Sequence, residues 1–368
     1  MYLSEIDVLG EPAPALCPAD ATPVCDPPDS EAANCFREAH PARWCAPGTA
    51  ASATCGPLAA PRPIERAVIH TIANASMTAI VNRTATVAGS GTCAHYYVFR
   101  NGCIVQMCRE ANVAFHAGAP VLNRNSIGIE HADVCNDPAP YTRELYERSA
   151  ALVRDIRIRY AFPLRVFGIH TANRNDATVI AHSDILPGHH GDPGPYWDWE
   201  YYTRLLQWDG RAASRPVRLT SLAALNPTTP TGWDARRRPA IGADHCATTH
   251  HSYGSTFWRA RPNTAGNDVV SRFRLSMPGL YKISLWWPRI DGANHQTMVD
   301  VEVQKAGGPA RARGILDQSR RFGRWNDIGQ PFTFDVPADG ARVTVHIRRN
   351  SPGRGWILAD AVRVLRVG

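Results

Sequence analysis

The sequence keeps two periodicities as far as residue 208 and only one beyond about residue 230, and that change limits the folds open to it. In the first part RAVIHTI (66–72) and SIGIEHADV (126–134) are short apolar runs suited to buried strands. HYYVFRNGCIVQM (95–107) is two β-rich runs around Asn101-Gly102, a strong short hairpin signal. YTRELYERSAALVRDIRIRYAF places Leu145, Leu152, Val153, Ile156 and Tyr160 at the spacing of an amphipathic helix. TVIAHSDI adds a last short strand, and DWEYYTRLLQW reads as a closing helix. Strands mixed with helices over 61–208 predict an α/β domain, a mixed central sheet with flanking helices. A Pro-, Thr- and Gly-rich stretch, 209–229, reads as a linker. From 230 to 368 the runs are strands alone, with clear alternation in VTVHIRR, and predict an all-β sandwich.

Two domains suit a chain of 368 residues. No apolar run is long enough to span a membrane, which takes about 18 residues or more. The start, MYLSEIDVLGEPAPAL, lacks the basic and apolar regions of a signal peptide, so a removed leader or another export route is expected. Residues 1–60 are rich in Ala, Pro and Cys without either period, and read as an irregular segment tied by disulfides. The ten cysteines form no paired C-x-x-C sets, which favours disulfides in an oxidising, extracytoplasmic compartment over a structural metal site. Five of them precede residue 60, so at least one crosses to later sequence or stays free. Cys103 and Cys108 are close enough to bridge locally. The net charge of +7 suits an anionic partner such as an acidic wall or glycan. Its arginines are scattered and only Lys282 and Lys305 accompany them, so nucleic acid is not expected as a partner.

The segment AHSDILPGHHGDPGPYWDW (181–199) sets His182, His189, His190 and two aspartates within 182–192, among glycines and prolines that exclude a long helix. A catalytic zinc takes three protein ligands and keeps one position open. His70 ends the strand RAVIH, His182 follows the strand TVIA, and Asp192 comes after a Gly-rich turn. These three converge if the two strands are neighbours. Each histidine taken alone is equally readable as an ordinary hydrogen-bonded polar residue.

VIHTI, AHYYVFRNGCIVQM, AFHAG, NSIGIEH and AHSDILPGHHGDPGPYWDW, in that order, resemble the zinc-dependent N-acetylmuramoyl-L-alanine amidases. That family includes bacterial cell-wall amidases, phage amidases and peptidoglycan recognition proteins. The resemblance covers roughly 61–208. It implies Zn2+ held by His70, His182 and Asp192, and Glu130 as the carboxylate that takes and returns the proton of the attacking water. Where the family commonly has a lysine, this chain has His190, implied to stabilise the oxyanion as an imidazolium or as a weaker neutral donor. An imidazolium there would make activity decline at mildly alkaline pH. His116 and Asn125 match positions near the substrate groove, with packing or loop shaping as the alternative for each. His95 is read as a buried structural residue. A tyrosine that some members carry one residue earlier is replaced by Ala94.

In the second part, GLYKISLWWPR, RWNDIG and GWILADAVRVLRV resemble the golvesin C-terminal or xanthan-lyase-type carbohydrate-binding module. The resemblance implies a sandwich that holds polysaccharide, with Trp286, Trp287, Trp325 and Trp356 as candidate stacking faces. Adjacent residues on a strand point to opposite faces, so one of Trp286 and Trp287 is expected outside the core. The whole reads as a hydrolase for the muramoyl–L-alanine amide of peptidoglycan, anchored on glycan. The rival is a peptidoglycan recognition protein with an impaired site. A third reading, a wall-cutting component delivered by a phage or injection apparatus, shares the chemistry.

Overall fold

The computed structural model describes residues 16–19, 21–22, 25–47, 61–72, 76–88, 91–132, 141–185, 189–222, 230–237, 252–253, 256–263, 266–329 and 332–368. Cys55, Cys135, Cys246, Gly188 and the histidines at 245, 250 and 251 lie outside them. The described chain divides into two compact units, one ending at Gln207 and the other beginning at Trp208.

In chain order the first unit contains β1 (Cys35–Phe36), β2 (Trp44–Cys45), β3 (Arg66–Thr71), α1 (Met77–Thr86), β4 (Tyr96–Val98), β5 (Ile104–Gln106), β6 (Val113–Ala114) and α2 (Pro120–Asn125). β7 (Ser126–His131), α3 (Arg143–Arg159), β8 (Val179–Ala181), α4 (His182–Ile185) and α5 (Trp199–Gln207) complete it. Six strands form one sheet in the order β1-β5-β4-β7-β3-β8. Only the β4–β5 hairpin is antiparallel, so this is the mixed α/β sheet that the sequence predicts. Gly102 turns that hairpin at φ +82°, a conformation that a side chain resists. Ser76 caps α1 by accepting from the Ala79 amide, and Thr142 caps α3 by accepting from the Leu145 amide.

The cysteine-rich N-terminal segment is less irregular than its composition suggests. β1 adds a parallel strand to the sheet edge, and β2 pairs with β6. Disulfides join Cys17 to Cys103 and Cys25 to Cys35, and Cys45 is also disulfide-bonded. The local Cys103–Cys108 bridge does not form, because Cys103 is taken by Cys17. Cys108 is instead a buried thiol in hydrogen-bond contact with the buried thiol of Cys93. Asp29 fixes the segment further by accepting from Gln106 Nε2 and the Glu110 amide, each at 2.7 Å, and from Arg109 at 2.9 Å.

Among the described residues the second unit is built of strands apart from one short 3-10 turn, Ala212–Ser214. Val269–Leu275, Ala341–Ile347, Thr297–Gln304 and Ala310–Leu316 make an antiparallel four-stranded sheet in that order. A second sheet runs Asn326–Asp327, Gly279–Trp286, Ala361–Arg366 and Arg218–Leu222. That last strand lies within the stretch expected to be a linker. Alternate residues of both sheets, including Val299, Val301, Val343, Val345, Ile283, Leu285 and Val364, share one apolar core. Of the Trp286–Trp287 pair, Trp287 belongs to this core and Trp286 lies outside it, on the other face of the strand. Both are nevertheless buried, because Tyr253 and Trp325 cover the face that Trp286 occupies, with ring centroids 5.2 and 5.6 Å away.

Glu110 is the buried acid that ties the first unit together: it accepts from Tyr96 at 2.6 Å, Tyr160 at 2.8 Å and Arg159 at 2.8 Å. Removing it leaves the buried Tyr96 hydroxyl without its partner. Glu110→Ala should therefore lower stability by about 3 kcal/mol in urea titrations, and Glu110→Gln by less.

Candidate active site and metal centre

Strand register assembles the site. β3 lies between β7 and β8, all parallel, with His70 opposite Glu130 and Ile69 opposite Ala181. Tyr97 on β4 is opposite Glu130 in turn. Residues opposite one another share a sheet face, so Tyr97, Glu130 and His70 form a row. His182 extends it as the first residue after β8. Asp192 comes back beside them, accepting from the Thr71 amide at 3.3 Å while its own carbonyl accepts from the Ser183 amide at 2.9 Å. Tyr141 donates to the Pro193 carbonyl at 2.5 Å and fixes the following residue.

His70, His182 and Asp192 are buried and offer one ligand-type atom each, all within 4.8 Å of one another. His182 Nδ1 is 3.0 Å from Asp192 Oδ1, and His70 Nδ1 is 3.4 Å from Asp192 Oδ2. The hydrogen bonds around His70 assign its tautomer. Ser126 gives its proton to the Leu122 carbonyl, so its oxygen accepts from His116 Nε2 at 3.2 Å. His116 Nδ1 is then an acceptor, taking the Nε2 proton of His70 at 3.0 Å. That leaves a bare lone pair on His70 Nδ1, aimed at a carboxylate oxygen. Two facing lone pairs repel, and a cation between them removes the conflict. Two imidazoles, one carboxylate and an open side toward a cavity fit a three-ligand zinc site.

Burial, followed by the neighbouring His182, holds the His70 imidazole down at about 4. His116 lies well below its ordinary value for the same first reason, with His70 next. Burial alone would raise Asp192, but its contacts with His182 and His70 outweigh that and keep it well below the carboxylate range. Glu130 goes the other way: burial, then the Asp192 charge and Cys93, push it well above. Its Oε2 is sealed from solvent and has no hydrogen-bond partner.

The cavity above this row has a volume of about 510 Å3. Its lining includes His70, Glu130, His182, His190, Asp192 and His116, together with Thr71, Ile72, Ile80, Arg83, Cys93, Tyr97 and Phe115. Six of the seven residues singled out from sequence thus meet here. Asn125 does not: it sits at the end of α2 and donates to Glu65 at 2.9 Å on the surface. The asparagine that shapes the site is the buried Asn123, whose Oδ1 accepts from the His116 and Ala117 amides at 3.1 and 2.7 Å. His190 is exposed and stacks on the His182 ring, centroids 3.8 Å apart. Burial and His182 lower its pKa from the usual value, which favours the neutral N–H donor over the imidazolium of the two expected forms.

Sequence reading missed two supports. His131 is fully buried, donates from Nδ1 to the His70 carbonyl at 2.8 Å and accepts from Ser149 at 2.7 Å, with Tyr202 2.8 Å behind Ser149. Tyr97 was legible only as a strand residue. His95 is buried, as expected, with its Nδ1 accepting from the Gly128 amide at 3.1 Å.

Comparison with known proteins finds similarity in both parts of the chain. Residues 60–195 match the N-acetylmuramoyl-L-alanine amidase family, and residues 241–366 match the golvesin C-terminal domain. The chain thus carries an N-acetylmuramoyl-L-alanine amidase domain followed by a golvesin C-terminal domain. It is 31% identical over 128 residues to the 1,6-anhydro-N-acetylmuramyl-L-alanine amidase AmpD of Enterobacter cloacae. That alignment takes in 33% of this chain and 61% of AmpD. Among solved structures, a selenomethionine AmpD derivative is 22% identical, covers 50% of this chain and 99% of its own, and has a TM-score of 0.36. The amidase LysC from Clostridium intestinale URNW is 17% identical over 47% of this chain and 98% of its own, with a TM-score of 0.32. A Paenibacillus xanthan lyase is 18% identical over 41% of this chain and 13% of its own, with a TM-score of 0.26.

Gly128 supplies the space that His116 needs. A Cβ there would stand 2.5 Å from His116 Cγ and 2.6 Å from Nδ1. Gly128→Ala should displace the ring that orients His70 and weaken zinc binding about 10- to 100-fold in titrations of the metal-free protein. The far-UV circular dichroism spectrum should be unchanged.

Proposed function

We propose that the first unit is a zinc-dependent hydrolase that cuts the amide between the lactyl group of N-acetylmuramic acid and L-alanine of the peptidoglycan stem. The observation that carries this reading is the convergence of His70, His182 and Asp192 beside an unpartnered Glu130 carboxylate at the floor of one cavity. The amidase family match over 60–195 supplies the substrate class. Zinc at the three ligands would act as a Lewis acid and make water a competent nucleophile near neutral pH.

The chain's own residues supply the remaining steps. Glu130 accepts the proton of the attacking water and delivers it to the departing amine of L-alanine. The neutral His190 offers an N–H to the oxygen that gains charge as the carbonyl is attacked. His116 holds His70 in the tautomer that leaves Nδ1 free. The golvesin C-terminal domain anchors the enzyme on polysaccharide, and the wall substrate and disulfides together favour an extracytoplasmic location. No helix among the described residues is long and apolar enough to cross a membrane.

Purified peptidoglycan digested with the protein should release free stem peptides that begin with L-alanine. Mass spectrometry should show that release stopping with a zinc chelator and returning with added zinc. Intact glycopeptides from a protein that binds both zinc and wall would favour the recognition reading instead.

Glu130→Gln separates activity from stability. It should cut turnover by about 10^2- to 10^4-fold. It should also raise the melting temperature of the metal-free protein at neutral pH. An acid whose folded pKa is raised contributes most below its unfolded value, and that contribution is lost as pH rises through the folded value. The gain in melting temperature from glutamine should therefore shrink as pH falls.

A further inference from the structure

We infer that Arg83 is a specificity residue that reads a carboxylate on the peptide side of the substrate, the free α-carboxylate of D-glutamate at the second stem position. The inference rests on the amidase reading above and adds a preference to it. Two arginines line the cavity, Arg43 and Arg83. Arg43 is buried and committed to backbone, donating to the Val87 carbonyl at 2.8 Å and to the Thr92 carbonyl. Arg83 is exposed, and its side chain has no hydrogen bond or ion pair among the described residues. Ile80, Arg83 and Thr84, three and four residues apart on α1, all line the cavity, so α1 turns one face to it.

The floor and the α1 wall of this cavity differ in what they leave open. His70, His182 and Asp192 on the floor contact one another and would hold the metal, and Ile72 and Phe115 add apolar wall. A carboxylate on the substrate is left the α1 side, where the free guanidinium waits. The stem peptide has such a group close to the scissile bond. D-Glutamate follows L-alanine, is joined onward through its γ-carboxyl, and leaves its α-carboxyl either free or amidated. An extended residue advances about 3.5 Å, and the carboxyl carbon lies one N–Cα–C step further, so this group is roughly 6 Å from the bond cut. A cavity of about 510 Å3 is in the size range that encloses a small ligand of this kind. The planar fork of an arginine pairs with both oxygens of a carboxylate, whereas a primary amide turns an N–H2 toward it.

The test compares two synthetic substrates, N-acetylmuramoyl-L-alanyl-D-isoglutamate and N-acetylmuramoyl-L-alanyl-D-isoglutamine, with the full-length zinc-loaded protein. The wild type should favour the carboxylate form in kcat/KM by about tenfold or more, the size of one charge-assisted hydrogen-bonded pair. In Arg83→Gln that ratio should collapse toward one, with the loss appearing in KM, and Arg83→Lys should recover part of it. Equal kcat/KM for both substrates in the wild type would overturn the inference. So would an Arg83→Gln variant that loses the same factor on both. A wild type that cuts neither substrate, with zinc bound, would overturn the amidase reading itself.

Discussion

The parallel register of three strands is the constraint on which the site depends. Because β3 pairs with β7 on one side and β8 on the other, His70 is placed beside Glu130 and level with His182. A slip of one residue in either pairing would turn the shifted residues to the opposite face. Hydrogen bonds beyond the ladder oppose such a slip. His131 on β7 donates to the carbonyl of His70 on β3, and Ser149 and Tyr202 from the two helices behind the sheet fix the His131 ring. The face that carries the candidate site is thus positioned from the opposite side of the sheet.

The cost of the site is electrostatic. Neutral histidines are crowded together, Glu130 has a sealed oxygen without a partner, and Asp192 faces the bare lone pair of His70. Such groups oppose folding unless a cation joins them, and the binding of a metal would then stabilise the folded chain. Stability comes from elsewhere in the unit. The N-terminal segment is fixed by disulfides and by Asp29, and Glu110 gathers two tyrosines and an arginine on a buried carboxylate. Separating stabilising from reacting groups in this way is common where activity needs a strained centre.

The golvesin C-terminal domain uses its aromatic residues mainly for itself. Trp286 and Trp287 are buried, and Trp325 packs against Trp286 and Tyr253. Trp356 is half-buried, with the guanidinium groups of Arg259 and Arg261 over its ring at 4.2 and 4.1 Å. Cation–π contacts of this kind occupy the face that a sugar ring would need. The outer face of its four-stranded sheet is instead charged, with Arg313 paired to Asp300 at 2.6 and 2.9 Å and Arg311 to Glu302 at 3.3 Å.

How much was legible follows from the range of each interaction. Strand and helix periods, the Asn101-Gly102 turn and the ordered blocks are local patterns, and the sequence by itself determined the α/β unit, the all-β unit and six of the residues that line the cavity. Asn125 is singled out by its place just before SIGIE, whereas the role of Asn123 depends on which side of a six-residue helix it occupies, and no local pattern marks that. The tryptophan pair did alternate, but alternation says nothing about a second cover laid over the outer face. His190 carries no sign in the sequence of the ring stacked on it, so the lowering of its pKa was not legible there. The tertiary structure decided these points, along with the Cys17–Cys103 pairing and the His131 support, because each joins groups far apart in the chain. Their proximity exists only once the strands have taken their register.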